Sequence, residues 1–103
     1  MKKVIIESPY AGDITKNIAY ARKCVLDSLK RGEAPIASHL LYTQPTILND
    51  DIPEERSLGI AAGLAWKDVA DLHVFYTDLG WSDGMQEAHR DTHLEVEFRN
   101  LES

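Results

Sequence analysis

Ser82, Gly84 and Glu87 fall in one short stretch after the apolar run Leu72-His73-Val74-Phe75-Tyr76 and the turn Thr77-Asp78-Leu79-Gly80-Trp81. The run predicts a buried strand, and the Ser-x-Gly behind it opens a helix. Backbone N–H groups at a helix start can hold a phosphate or a carboxylate, and Ser82 could add its hydroxyl. The same donors serve a plain N-cap that needs no ligand, and Asp83 beside them repels an anion. Glu87 lies one turn inside. A carboxylate there could attack a sugar carbon or move a proton. It could equally be a solvated acid favoured by the positive end of the helix dipole.

A second group stands at the end of the first apolar run. Ser8, Tyr10 and Gly12 could form a ligand loop, with Gly12 allowing close backbone approach and Tyr10 stacking on a planar ring. The alternative is an ordinary turn with a half-buried tyrosine. The loop is neither a GxGxxG fingerprint nor a Walker motif. His39 could donate to a phosphate or a ring nitrogen. Arg56 could face a phosphate or another subunit, although a surface ion pair is the commoner use. His73 is a strand residue, and Asp71 starts that strand at the end away from the loops. His89 and His93 have a zinc spacing if both are helical. They lack a third ligand, and Thr92-His93 is already leaving the helix, so no metal or other cofactor is expected.

These residues need elements to position them. Val4-Ile5-Ile6 predicts a first buried strand, ended by Ser8-Pro9-Tyr10-Ala11-Gly12-Asp13. Asp13 is the expected N-cap of an amphipathic helix over 14–30, with Ile14, Ile18, Ala21, Val25 and Leu29 on its apolar side. Lys30-Arg31 suits its negative end, and Gly32 stops it. Ala34-Pro35-Ile36-Ala37 is a second strand, followed by a long connection from Ser38 to Ile52. A loop of that length is usually functional or mobile.

Pro53 begins a second helix, with Glu54 and Glu55 in its first turn and Leu58, Ala61, Ala62, Ala65 and Val69 as the expected apolar face. Gly59 and Gly63 suggest close packing on a sheet or on another subunit. A third, weaker helix runs from Ser82 to about Thr92. The alternating segment 94–99 is an edge strand with one wet face. The alternation of strands and helices predicts an open, mostly parallel α/β sheet of about four strands, order 2-1-3-4, flanked by three helices. The loops after the first and third strands would then face each other across one crevice.

The chain of 103 residues makes one domain, 1–103. A net charge of −6 argues against nucleic acid as the main partner, since that needs a basic face, but not against a small phosphate-bearing ligand. The single cysteine, Cys24, cannot form an internal disulfide and reads as a core thiol in a reducing, cytoplasmic setting. Met1-Lys2-Lys3 leads into a strand, not into a signal peptide, and no apolar run is long enough to span a membrane.

The ordered series Ser8-Pro9-Tyr10-Ala11-Gly12-Asp13, Asn17, Ala34 through Tyr42, Pro53-Glu54-Glu55-Arg56 with Gly59, Asp71 and Ser82-Asp83-Gly84-Met85 resembles the small phage and prophage domains related to nucleoside 2-deoxyribosyltransferases. The resemblance implies a Rossmann-like fold, a nucleoside or nucleotide pocket and a homo-oligomer. It implies that Ser8, Pro9, Tyr10, Gly12 and Asn17 contribute to the pocket from the first loop and helix. His39, Arg56, Ser82, Gly84 and Met85 are expected to complete it. In catalytic members a glutamate four residues after the glycine attacks the sugar. That position is Ala88 here, and Glu87 is one residue early, a helical rotation of about 100°.

Three expectations follow from the resemblance. The domain could bind a nucleotide-derived molecule without breaking it, as a phage protein sequestering a defence signal such as a cyclic ADP-ribose would. It could cleave or exchange an N-glycosidic bond, with Glu87 as nucleophile and Tyr10 as helper. It could also be a structural module without a working pocket.

Overall fold

The computed structural model describes residues 1–102. The strands are β1 (Lys3–Glu7), β2 (Ala34–Ile36), β3 (Leu72–Tyr76) and β4 (Glu95–Arg99), and the helices are α1 (Ile14–Lys30), α2 (Ser38–Leu41), α3 (Pro53–Ala65) and α4 (Asp83–Asp91). A single 3-10 turn, Trp66–Asp68, extends α3. The four strands pair in the order β2-β1-β3-β4, all parallel. This is the α/β architecture expected, with one more helix than the three anticipated. The addition is α2, a single turn inside the long connection, which no side chain caps and no hydrophobic period announces.

Local chemistry sets the element ends. The Asp13 carboxylate accepts from Lys16 N at the start of α1. At its other end Gly32, at φ +80°, lets Glu33 N reach back to Ser28 O, a left-handed stop that suits glycine. Ser82 caps α4 by accepting from Met85 N. Asp71 clamps the start of β3 to β1: its carboxylate accepts from Lys3 N at 2.8 Å, away from the loop end of the sheet.

Strand alternation divides the sheet into two faces. Val4, Ile6, Leu72, Val74 and Tyr76 pack with Tyr20 and Cys24 of α1 into the main core. Each large apolar side chain buried there is worth about 1.5–3 kcal/mol. Cys24 is fully buried, and burial pushes its thiol pKa up to about 12, as a core thiol requires. Ile5, Glu7, His73 and Phe75 point to the opposite face, where Phe75 meets Trp81, His89 and Phe98.

Three expectations need correction. On α1 the expected Ile14 and Leu29 are exposed, and the buried side is Asn17, Tyr20, Ala21, Cys24 and Ser28, because the small Cys24 and Ser28 let the helix lie close on the sheet. The apolar side assigned to α3 does not meet the sheet. Leu58 is 61% exposed, and Ala61, Ala65 and Val69 are exposed with it. The helix packs instead through Gly59 and Gly63 on α2 and the following loop: a Cβ on Gly63 would sit 2.7 Å from Ser38 Oγ, and one on Gly59 3.2 Å from Leu48 Cδ1. The edge strand also reverses part of its pattern. Phe98 is 56% exposed, whereas the charged Arg99 is buried.

Arg99 is buried because its guanidinium is fully matched. It donates to both Glu33 oxygens, at 2.8 and 2.7 Å, and to Tyr76 Oη at 3.3 Å, and it pairs with Glu97. The Tyr76 hydroxyl in turn donates to Asp27 at 2.7 Å. Hydrogen bonds from Arg99 hold the Glu33 carboxyl below its ordinary range, against the opposing effect of burial. Burial works against the charged Asp27 carboxylate, but bonds from Tyr76 and Arg31 carry the balance downward.

Candidate functional site

The loops after β1, β2 and β3 meet at the carboxyl end of the sheet, where open parallel sheets bind ligands. Between them and α3 lies a cleft of about 540 Å³. Ser8 and Tyr10 line it from the first loop, His39 from α2, Arg56 from α3, and Ser82, Gly84, Met85 and Glu87 from the start of α4. These candidate residues from four separate segments thus surround one space. Glu87 lines it despite its register, because the cleft extends along α4 to Ala88 and Asp91.

Pro9, Gly12 and Asn17 do not line the cleft. They shape the loop that does. Asn17 Nδ2 donates to Tyr10 O at 2.9 Å and to Ala11 O at 3.0 Å, so its amide is engaged with backbone. Gly12 has φ +98°, a conformation that excludes most side chains, and nothing lies within 4 Å of where its Cβ would be. Its glycine serves the turn. Pro9 is a buried residue of the loop itself.

His39 bridges α2 and the first loop: its Nε2 lies 2.6 Å from Ser8 Oγ. Its Nδ1 is buried and has no hydrogen-bond partner. Burial lowers the imidazole pKa below its ordinary value, opposed by the charge of Glu7, so the ring is held neutral. A neutral imidazole sharing a proton with a serine hydroxyl can accept or donate toward a ligand.

The sequence reading missed Glu7 and His73. Both line the cleft from the sheet itself. Period-2 alternation does place them on one face, since Ile5 pairs with His73 and Glu7 with Phe75. That signal existed, but it could not be used without knowing which face the cleft occupies. His89, half of the possible zinc pair, packs its ring against Phe75, Trp81 and Phe98. Among the described residues no cluster of three metal-ligating side chains occurs.

The electrostatics of the cleft follow the chain as a whole. Glu7, Asp50, Glu55, Asp83, Glu87 and Asp91 line it, against the cations Arg56 and Lys67. Neither cation makes an ion pair among the described residues. No helix among the described residues is long and apolar enough to cross a membrane.

No curated protein and no solved structure matches the chain. A family model, described as a domain of unknown function (DUF7768), matches residues 2–100. With nearly its whole length matched, the chain belongs to the DUF7768 family.

Proposed function

We propose that the cleft binds a nucleoside or nucleotide-type small molecule. The observation that carries this reading is the convergence of Ser8, Tyr10, His39, Ser82 and Glu87 on one cleft at the carboxyl end of a parallel sheet. Its volume falls within the range of roughly 300–1,000 Å³ typical of small-ligand sites. Tyr10 supplies a ring for a base to stack on. Ser8 and His39 offer a paired hydroxyl and imidazole, and the start of α4 offers Ser82. The resemblance to the deoxyribosyltransferase-related domains supports the same ligand class.

Two uses of such a site differ in chemistry. In the first the ligand is held unchanged, as in sequestration of a nucleotide-derived signal such as a cyclic ADP-ribose. In the second an N-glycosidic bond is broken. The position of Glu87 on the cleft wall favours keeping this second reading. Its carboxylate would attack the anomeric carbon, the base would leave with a proton taken from solvent or a neighbouring acid, and water would release the sugar and regenerate the carboxylate. Self-association is part of the proposal, because Leu58, Ile60 and Leu64 of α3 are left exposed. Sedimentation equilibrium tests that part.

The deciding experiment incubates the protein with deoxynucleosides, their monophosphates and cyclic ADP-ribose isomers, and follows retained ligand and free base. Free base that disappears in Glu87→Ala establishes cleavage and sinks the pure binder. Ligand recovered intact after heat denaturation establishes holding and sinks the enzyme. If nothing is retained or cleaved, the cleft reading fails altogether.

A further inference from the structure

Glu7 and His73 carry no role in the reading above, yet their arrangement is specific. The His73 side chain is 1% exposed. Its ring stacks on Phe75 at a centroid distance of 4.7 Å. Nδ1 lies 2.9 Å from Thr92 Oγ1, and that oxygen already accepts from Leu94 N. A threonine hydroxyl has one proton to give. Donating it to Nδ1 satisfies both groups and leaves the ring's own proton on Nε2. Nε2 has no hydrogen-bond partner, and Glu7 Oε2 stands 3.4 Å away. The ring thus steers the carboxylate electrostatically without consuming its lone pairs.

The Glu7 side chain is only 20% exposed, and its carboxylate makes no hydrogen bond among the described residues. Its oxygens open on the cleft, where water reaches them until a ligand displaces it. The carboxylate can only accept, so a ligand group that displaces that water must be a hydroxyl or an amino group. A phosphate is the wrong chemistry for this floor, and it would also meet five further carboxylates on the walls against two cations.

We infer that Glu7, positioned by His73 and Thr92, accepts a hydrogen bond from a hydroxyl or amino group of the ligand. The cleft therefore selects an unphosphorylated nucleoside over its phosphates. The inference rests on the nucleoside-type reading and narrows it, setting aside the pyrophosphate-bearing cyclic ADP-ribose as the ligand.

The test titrates the full chain with ribonucleosides, deoxynucleosides and their 5′-monophosphates by calorimetry. The tightest nucleoside should bind at least about tenfold better than its monophosphate. Glu7→Gln should weaken that nucleoside about tenfold, the scale of a hydrogen bond to a charged group, and weaken the monophosphate less, because there the lost hydrogen bond is offset by removing a charge that repels the phosphate. Thr92→Val should weaken it less, and nitrogen NMR of the wild type should show the His73 Nε2–H tautomer shifting when the nucleoside binds.

A purely structural role for Glu7 would not change the ratio between nucleoside and monophosphate. Monophosphate binding as tight as nucleoside binding, or an unchanged Glu7→Gln, overturns this inference and leaves the cleft reading intact. If Glu7→Gln does not fold, an unchanged ratio in Thr92→Val with a silent His73 signal overturns it instead. If no probe binds the wild type, both readings fall together.

Discussion

The two faces of the sheet treat polar groups in opposite ways. On the α1 side, Arg99, Glu33, Tyr76 and Asp27 form a closed set in which each group meets a partner of matching chemistry. Tyr20 and Asp78 do the same nearby, with the tyrosine donating to the carboxylate at 2.5 Å and accepting from Asp78 N at 3.0 Å. On the cleft side the buried Nδ1 of His39 and Nε2 of His73 have no hydrogen-bond partner, and Glu7 stands beside them without a donor. Satisfied polar groups hold a fold together; unsatisfied ones weaken it unless something binds. The contrast separates stabilising residues from residues available to a ligand.

The largest effect should come from breaking the closed side. Arg99→Met leaves Glu33 buried without its counterion, and should cost about 3–5 kcal/mol in urea unfolding. A loss below about 1 kcal/mol would mean the network contributes nothing. Tyr20→Phe removes a donor to Asp78 and should cost about 1.5–3 kcal/mol. On the cleft side, where α3 packs on α2, Gly63→Ala drives a methyl into Ser38 and should cost about 1 kcal/mol. Overpacking outweighs the gain in helix propensity there, and adding Ser38→Ala should restore much of the loss.

Acid should separate the regions by pH. Above about pH 6.5 His39 is neutral in both folded and unfolded chains and adds no pH dependence. Below that value the unfolded chain takes up a proton that the folded imidazole resists, so stability falls until the lower folded pKa is passed. Glu33 acts later: its lowered pKa stabilises the fold above about pH 4.5, and that contribution is lost as pH falls through the folded value. Unfolding free energies across this range should flatten in the upper part for His39→Gln and in the lower part for Glu33→Gln. The smallest effect on stability belongs to Glu87→Ala, within about 0.5 kcal/mol, because Glu87 is exposed and makes no ion pair. A larger change would place it among the structural residues.

Strand positions, strand order and caps were legible because they depend on short-range patterns: apolar runs, Asp13 and Ser82 as caps, and Gly32 as a stop. Part of the cleft wall, Ser8 and Tyr10 on one side and Ser82 to Glu87 on the other, was legible for the same reason, since it sits where those runs end. Arg99 was not. In an alternating edge strand a charge reads as solvent-facing, and the partner that buries it lies 66 residues away. The face of α3 was misjudged because Leu58 and Val69 carry more hydrophobicity than Gly59 and Gly63. Helix approach is decided by bulk, and the glycines win it. Glu7 and His73 escaped because a strand residue becomes a site residue only when the opposite layer leaves room above it.

The Arg99–Glu33 pair also bears on synthesis of the chain. Glu33 emerges from the ribosome long before Arg99. Until β4 is made, the Glu33 carboxylate stays hydrated and Tyr76 lacks one of its two neighbours. Asp78 waits as well, for the backbone N–H groups of Leu101 and Glu102. β1 likewise cannot gain both neighbouring strands until β3 exists. Closure of the α1 face therefore waits for β4, and a ribosome paused before Arg99 would carry a domain whose buried ion pair is half built.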